Sequence, residues 1–520
     1  MSQEREKWGS RIGIILAVAG SAVGLGNFLR FPAKATLNGG GAFIIPYFVA
    51  FLLLGIPLMW IEWTLGRYGG KSGHGTAPGI FDSLSKNRTL KYIGAIGVLG
   101  PFIILIYYMY IESWTLAYTF YSFSGELLRT PDQNSMKEFL AGYQGLKSNN
   151  YFSNLGPAYI FFILTFAANF YFIYKGIQGG IEKLSRWGMP LLIIIGIILA
   201  IRVLTLGTPD SALPEQSINN ALGFVWNPDF SQLLNAKVWL EAAGQIFFTL
   251  SVGIGVILTY ASYLGSKDDV VLSGLTSSSL NEFCEVILGG SIVIPAAFVF
   301  FGGAGAIAIA ESGTFNIGFI SMPLIFEKIP FGFVFSGLWF LLLFIAGITS
   351  SVSLIQPMIA FLEDEFKFNR AKSTIILGIV AFLASQPAIL FLENGFLDEL
   401  DFWGGTVFLI LFATVEVFIF LFVMGFKKGW EEMHSGGLMR VPRFYKFIIR
   451  YITPAFLLIL LGFYSYQQFI PVIFLEGVSE ADKPYIWGAR ALIFGFLLIF
   501  LFMIYYAWKR NANNGKGEVV

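Results

Sequence analysis

Two glycine-rich segments of the sequence share one short pattern. Ala22-Val23-Gly24-Leu25-Gly26, in the first apolar stretch, returns as Ser251-Val252-Gly253-Ile254-Gly255 in the sixth. Each glycine inside a helix costs about 1 kcal/mol relative to alanine, so this density predicts that both helices unwind locally. Unwound backbone leaves carbonyls that can ligate a hard cation such as Na⁺ and N–H groups that can bind a carboxylate, provided that a polar cavity surrounds them.

Close helix packing and dinucleotide binding account for these glycines less well. Small residues at helical spacing allow helices to pack closely, but a recurrence in corresponding positions of two halves favours a binding site between broken helices. The run Gly24-Leu25-Gly26-Asn27-Phe28-Leu29 also lacks the third glycine and the preceding strand of a dinucleotide-binding fingerprint.

The composition indicates which elements hold these segments. Of 520 residues, 56 % are hydrophobic and 13 % are charged, against roughly 25 % charged in a soluble globular chain. The chain must be solvated largely by lipid, which excludes a nucleic-acid binder, a secreted disulfide scaffold and a soluble multidomain enzyme. The net charge is +1, and the one cysteine, Cys284, and the two histidines, His74 and His434, form no metal or redox motif.

Apolar runs without period-two alternation predict membrane-spanning helices rather than a barrel. A span needs about 20 residues, so twelve spans would use most of the chain. The predicted spans are 11–36, 42–68, 90–124, 157–174, 182–204, 238–264, 271–302, 332–363, 373–392, 397–425, 445–474 and 484–508. Seven tryptophans near span ends or polar interruptions indicate an interfacial aromatic belt: Trp60, Trp63, Trp114, Trp239, Trp339, Trp403 and Trp487.

The basic residues predict the orientation of these spans. If the amino terminus is cytoplasmic, 23 of the 34 lysines and arginines fall on the cytoplasmic side and eight fall outside. This bias predicts a multi-pass protein of the plasma (inner) membrane with both termini in the cytoplasm. The start of the chain has no small-residue cleavage site, so we expect no cleaved signal peptide. The long outside connections, 125–156, 205–237 and 303–331, are expected to form a cap.

Three motifs carry a family resemblance. Gly24-Leu25-Gly26-Asn27-Phe28-Leu29-Arg30-Phe31-Pro32, Asn38-Gly39-Gly40-Gly41-Ala42-Phe43 and Gln245-Ile246-Phe247-Phe248-Thr249-Leu250-Ser251 closely resemble the neurotransmitter:sodium symporter family. The resemblance extends from Arg5 to near Tyr505 and implies a sodium-coupled transporter rather than an enzyme.

The resemblance also implies the fold. It is an all-α integral membrane protein of twelve transmembrane helices, with a five-plus-five inverted repeat, broken helices 1 and 6, and two extra C-terminal helices. The chain would then divide into a cytoplasmic segment (1–10), a first repeat (11–204), an extracellular loop (205–237), a second repeat (238–425), a cytoplasmic loop (426–444), helices 11 and 12 (445–508) and a cytoplasmic tail (509–520).

Two sodium sites follow from the same resemblance. One would use the carbonyl of Ala22 and the side chains of Asn27, Thr249 and Asn281, with the substrate carboxylate as a further ligand. The other would use the carbonyls of Gly20, Val23 and Ala346 and the hydroxyls of Thr349 and Ser350. Neutral oxygens suit a weakly held monovalent ion, whereas a Ca²⁺ site usually collects carboxylates. The hydroxyls could instead bond back to their own helix.

The substrate pocket implied by the resemblance is largely apolar. Its lining would be Ala22, Gly24, Leu25, Gly26, Ile104, Tyr108, Phe248, Thr249, Ser251, Ile254, Ser350 and Leu354. Family members that carry amines have an aspartate where Gly24 stands, so glycine favours an amino acid whose carboxylate fills that space and accepts a hydrogen bond from Tyr108. The apolar wall favours a neutral hydrophobic L-amino acid, similar to leucine or methionine, imported with Na⁺ by alternating access.

The size of the preferred side chain stays open. Ile104, Ile254 and Leu354 stand where a bacterial member of the family has valine, phenylalanine and isoleucine; the first change narrows the pocket and the second opens it. A small substrate such as alanine or glycine, or an aromatic one, is therefore an alternative. A channel is the alternative of a different class, and it would need a continuous polar pore.

Charged residues resemble the gates of the family. Arg30 and Asp401 resemble its outer pair, with Tyr108 and Phe248 as a lid. The inner pair corresponds to Arg5 and Asp364, with support from Trp8, Ser262 and Tyr263.

Glu285 is a candidate for charge balance. Chloride-dependent members of the family have a neutral serine near this place, so a fixed carboxylate predicts chloride-independent transport. A proton carried back on Glu285 is a further hypothesis, and a carboxylate satisfied by neighbouring hydroxyls is the plainer one. The expected partners are the amino acid, Na⁺ and the bilayer, without nucleic acid, and the resemblance allows a homodimer.

Overall fold

The computed structural model describes residues 6–85 and 87–515, and this part of the chain is helical without any strand. The principal helices are α1 (Arg11–Ala22), α2 (Leu25–Leu37), α3 (Gly41–Gly70), α4 (Leu90–Phe123), α5 (Gly156–Tyr174), α6 (Ile177–Leu204), α7 (Ala236–Leu250), α8 (Val256–Ala261), α9 (Val270–Glu311), α10 (Gly332–Phe366), α11 (Arg370–Leu390), α12 (Phe396–Met433), α13 (Tyr445–Ile473) and α14 (Lys483–Asn511).

These helices confirm a multi-pass membrane protein. In the described residues, ten helices are long and apolar enough to cross a membrane, and α1 with α2 makes an eleventh span. The pair α7 and α8 occupies the remaining predicted span, 238–264. Most helix ends lie close to the ends predicted from the apolar runs, and the exceptions are the ends of α9 and α12.

Both glycine-rich segments are broken, as predicted. Between α1 and α2, the chain bends by 49° and Gly24 is extended, with φ −123° and ψ −165°. Between α7 and α8, the left-handed backbone of Ser251 (φ 53°), Gly253 (φ 75°) and Gly255 (φ 90°) ends the helical pattern. Glycine adopts such positive φ angles without the steric cost that other residues carry.

The two breaks are surrounded by the most buried helices. In α4 and α10, 78 % and 83 % of the most apolar stretch is buried, against 22 % in α14. Helices α4 and α10 therefore form the centre of the bundle, and α14 faces lipid along much of its length.

Three expectations about the surface are wrong in part. The predicted connection 303–331 is mostly helical, because α9 continues to Glu311 across a bend at Gly302 (φ 69°) and a short apolar helix, Thr314–Glu327, follows. Likewise α12 extends to Met433, past a turn at Gly425. Four tryptophans assigned to the interfacial belt are instead packed inside the bundle: Trp60, Trp63, Trp114 and Trp339.

Candidate functional site

A cavity of about 380 Å³ lies between the two helix breaks. Its walls come from α1, α2, α4, α7, α10 and α12 together with the residues of both breaks. Eleven of the twelve residues predicted to contact substrate line it, namely Ala22, Gly24, Leu25, Gly26, Ile104, Tyr108, Phe248, Ser251, Ile254, Ser350 and Leu354. The twelfth, Thr249, is buried behind this wall.

Gly24 leaves a small space between two hydroxyl groups at the base of the cavity. A Cβ atom at this position would lie 3.1 Å from Ser350 Oγ and 3.2 Å from Tyr108 OH. The first turn of α2 begins at Leu25, where backbone N–H groups have no helical acceptor. Hydroxyl and amide donors therefore converge where a carboxylate could bind, beside apolar walls formed by Ile104, Ile254 and Leu354.

A buried polar cluster connects α2, α7 and α9 next to this space. The Asn27 amide donates to Asn281 Oδ1 (2.9 Å), Thr249 Oγ1 (3.1 Å) and Glu285 Oε2 (3.2 Å). Thr249 Oγ1 also donates to Glu285 Oε2, and the Gln245 amide donates to Glu285 Oε1 at 2.5 Å. The structure thus brings together the three side chains predicted for the first sodium site and places the Glu285 carboxylate directly behind them.

Backbone carbonyls and hydroxyls form a second cluster at the break of α1. Ser350 Oγ lies 3.3 Å from the carbonyl of Gly20, 3.5 Å from that of Val23 and 3.0 Å from that of Ala346. Thr349 Oγ1 lies 2.9 Å from the carbonyl of Ile345 and 3.2 Å from that of Ala346, so this hydroxyl bonds back to its own helix. All the atoms predicted for the second sodium site are nevertheless neighbours.

The donor atoms of both clusters suit a monovalent cation. The first has amide and hydroxyl oxygens backed by one carboxylate, and the second has neutral oxygens alone. Within the described residues, His, Cys, Asp and Glu side chains form no group of three that could hold a metal ion.

The mouth of the cavity carries the predicted outer pair. The guanidinium of Arg30 lies 4.2 Å above the ring of Phe248, and Tyr107 OH donates to Asp401 Oδ1 at 2.5 Å. In the described part of the chain no ion pair joins Arg30 to Asp401, although both line the cavity. This end of the cavity also includes Lys34, Thr314, Phe315 and Asp398.

The opposite end of the bundle is closed below the breaks. The Trp8 indole N–H donates to the carbonyl of Tyr260 at 2.9 Å, and Gln356 donates to Tyr263 OH at 2.7 Å. Ser262 Oγ donates to the carbonyl of Thr259. Of the predicted inner pair, Asp364 lies near the end of α10 and Arg5 lies outside the described residues.

Several residues that line the cavity were not predicted from the sequence. For two of them, Tyr107 and Ile111, the helical spacing could have indicated their place. Positions 104, 107, 108 and 111 have the spacing of one helical face, so the assignment of Ile104 and Tyr108 could have extended to both neighbours. Thr314 and Phe315 belong to the short helix that replaces a predicted connection, and no local pattern relates them to the breaks.

Comparisons of this chain with known proteins found a matching family, related sequences and a related solved structure. The model of the sodium:neurotransmitter symporter family matches residues 5–139 and 130–509. An uncharacterized sodium-dependent transporter of Methanocaldococcus jannaschii is 30 % identical over 505 residues, which are 95 % of each chain. The sodium-dependent nutrient amino acid transporter 1 of Drosophila yakuba is 26 % identical over 91 % of this chain and 79 % of its own. The crystal structure of MhsT in complex with L-phenylalanine matches with a TM-score of 0.74 and 30 % identity, over 88 % of this chain and 99 % of that one.

Proposed function

The chain belongs to the sodium:neurotransmitter symporter family and is a sodium-dependent transporter, and from this premise we propose that it imports a neutral, hydrophobic L-amino acid. The observation that carries the proposal is the space at Gly24, bordered by Ser350 Oγ and Tyr108 OH. A carboxylate there would accept hydrogen bonds from both hydroxyls, and its negative charge would lie beside the sodium ligand Asn27.

The apolar wall selects the side chain of this substrate. Ile104, Ile254 and Leu354 offer no charged partner, so a charged side chain would lose its hydration without compensation. Leucine and methionine fit this chemistry. An aromatic amino acid is the second candidate, because MhsT, a relative of matching fold, has been solved with L-phenylalanine.

We assign two sodium sites to the two polar clusters. The first comprises the carbonyl of Ala22 with Asn27, Thr249, Asn281 and the substrate carboxylate. Since that carboxylate would be a ligand, substrate and Na⁺ would bind cooperatively. The second comprises the carbonyls of Gly20, Val23 and Ala346 with the hydroxyls of Thr349 and Ser350.

Alternating access would use the two ends of the cavity. Arg30 and Phe248 would close over an occupied site, and the contacts of Trp8 with Tyr260 would open afterwards. A cavity that ends at the breaks supports a carrier over a channel, which needs a continuous pore. If both termini are cytoplasmic, the mouth of the cavity faces outside and Na⁺ enters from there. Each Na⁺ that moves inward would then supply about 2.3 kcal/mol per 100 mV of membrane potential.

The test is uptake into proteoliposomes that contain the purified full chain. Labelled leucine and phenylalanine should accumulate with an inward Na⁺ gradient and should not when K⁺ replaces Na⁺. Competition by alanine, leucine, methionine, phenylalanine and tryptophan ranks the side chains. Uptake that is independent of Na⁺ would contradict symport, and a preference for charged amino acids would contradict the substrate proposal.

A matched pair of tyrosine variants tests the carboxylate position. Tyr108→Phe removes the hydroxyl beside Gly24, so substrate affinity should fall by at least about tenfold for one lost charge-assisted hydrogen bond. Tyr110→Phe removes a hydroxyl that is buried on the same helix outside the cavity lining, and its affinity should stay near wild type. Equal losses in both variants would indicate a general effect of α4.

Glu285 would supply the negative charge that makes transport independent of chloride. Its carboxylate accepts hydrogen bonds from Asn27, Thr249 and Gln245, so neutralising it changes the charge directly beside the first sodium site. Glu285→Ser should make uptake require chloride, because the smaller side chain leaves room for the anion. Glu285→Gln removes the charge without that room and should stay impaired with or without chloride. A Ser variant as active in gluconate as in chloride would contradict the assignment.

A further inference from the structure

A second cavity opens at the end of α12 that faces the start of α13. Its volume is about 930 Å³, and its walls are formed by Leu421, Phe422, Gly425, Phe426, Lys427, Lys428, Glu431, Arg450 and Tyr451. Gly425, with φ 84° and ψ 128°, turns the chain there, so that the last eight residues of α12 leave the direction of the membrane-spanning part. Charged residues begin directly after this turn, which is where a helix leaves the hydrocarbon for the headgroup region.

The charges on this cavity are mostly positive. Lys427, Lys428 and Arg450 line it with one acid, Glu431. Lys428 donates to Tyr68 OH at 2.5 Å. In the described part of the chain no acid lies within ion-pair distance of Lys427 or Arg450, and the Arg450 guanidinium packs instead 5.8 Å from the ring of Phe426. Arg450 belongs to a membrane-spanning helix, where an unpaired charge is costly unless an anion or the interface satisfies it.

The side chains on one side of the same cavity are apolar and exposed. Phe422 is 72 % exposed and lines the cavity one turn before the lysines, and Tyr451 is 53 % exposed beside Arg450. Phe447 is 60 % exposed and lies 5.3 Å from the Tyr451 ring. An occupant must therefore offer negative charge to the lysine side and hydrocarbon to the aromatic side.

We propose that this cavity between α12 and α13 binds the headgroup of an anionic phospholipid, with Lys427 and Arg450 as phosphate ligands and the acyl chains along Phe422 and Phe447. Arginine can hold a phosphate with two parallel hydrogen bonds, and lysine adds a point charge. Basic pockets between transmembrane helices suit anionic headgroups, whereas a free phosphate would leave the exposed aromatic side uncovered.

Native mass spectrometry of the full chain tests the proposal. The protein is incubated with phosphatidylglycerol or phosphatidylcholine, and the retained lipid is counted against concentration. Each interfacial cation contributes roughly a fivefold preference for an anionic lipid, so Lys427→Gln combined with Arg450→Gln should weaken phosphatidylglycerol binding about 25-fold. The double variant Lys175→Gln with Lys372→Gln removes two other surface cations that also lie over aromatic rings, and should bind like wild type.

A substitution that should strengthen lipid binding distinguishes a lost binding site from a misfolded variant. Glu431→Gln removes the one acid of the cavity, so it should tighten phosphatidylglycerol binding several-fold. The proposal is overturned by equal retention in the Lys427/Arg450 variant and the control, by equal binding of phosphatidylcholine, or by displacement with millimolar glycerol 3-phosphate, which would show a site for a soluble phosphate instead.

Discussion

His74 gives the clearest pH prediction because its environment contains opposing influences on one pKa. The ring stacks on Trp508 of α14, and Nδ1 lies 2.7 Å from Oε1 of Glu365, which is buried near the end of α10. Burial is the largest single influence and lowers the pKa of His74. The hydrogen bond and charge of Glu365, with the charges of Asp364 and Asp82, outweigh it and raise the pKa above 6.5.

The perturbation is Glu365→Gln, which keeps the shape of the partner and removes its charge. A hydrogen bond to a charged group contributes about 1.5–3 kcal/mol, so removing the charge of Glu365 should lower the pKa of His74. Burial is then opposed only by the charges of Asp364 and Asp82, so the pKa of His74 should move down from its wild-type value.

The assay is a ¹³C-histidine NMR titration of the full chain in micelles. The chain has two histidines, so His434→Gln assigns the spectrum. His434 is a matched control, since its Nδ1 lies 2.7 Å from the Trp430 carbonyl and its Nε2 accepts from Val441 N–H. A His74 resonance that titrates below pH 6.5 in the wild type, or that Glu365→Gln leaves in place, would contradict the influence of Glu365 on the pKa of His74.

The same pKa sets the sign of a stability effect. When the pKa of a histidine is higher in the folded state than in the unfolded state, protonation of that histidine stabilises the fold. The stabilisation is complete at pH values below the pKa of the unfolded state, and it is lost as the pH rises through the pKa of the folded state. Thermal unfolding of wild type should therefore show a loss of stability above pH 6.5 that His74→Gln lacks and His434→Gln retains.

Three further substitutions test the mouth of the cavity. Tyr107→Phe removes the hydroxyl that donates to Asp401. Substrate affinity, measured by equilibrium binding, should fall roughly threefold to tenfold, because water replaces part of a charge-assisted hydrogen bond. Unchanged affinity would contradict a gating role. Gly26→Ala places a Cβ 2.4 Å from the ring of Phe248, so at an overpacking cost of about 1–3 kcal/mol it should reduce affinity at least fivefold, and an affinity equal to wild type would contradict this close packing. Arg30→Lys keeps the positive charge but loses the contact of the guanidinium with the ring of Phe248. Bound substrate should therefore dissociate several-fold faster in a washout experiment. A slower release would contradict a role of this contact in closing the cavity.

The sequence predicted the spans and the breaks well because each has a local physical cause. Hydrocarbon thickness determines where apolar runs end, and glycine density indicates where helices unwind. The cavity residues of the two breaks lie in or beside the recurring motifs, whereas Ile104, Tyr108, Ser350 and Leu354 could be named only from the family resemblance. Phe315 and Thr314 could not be named, because they reach the mouth through the bend at Gly302, whose direction no local pattern encodes. The tryptophans of the predicted belt show the same limit: proximity to a span end does not distinguish lipid from a neighbouring helix.

The two helix breaks differ in how they can change over evolution. Gly253 and Gly255 have positive φ and lie against backbone, with added Cβ atoms 2.5 Å from the Leu409 carbonyl and 2.3 Å from that of Gly97. Gly24 has an extended backbone that any residue can adopt. A side chain at Gly24 would therefore keep the backbone of the break and press instead on Ser350 Oγ and Tyr108 OH. The fold thus keeps one replaceable position within an otherwise fixed pair of breaks, and new substrates could arise there without a new architecture.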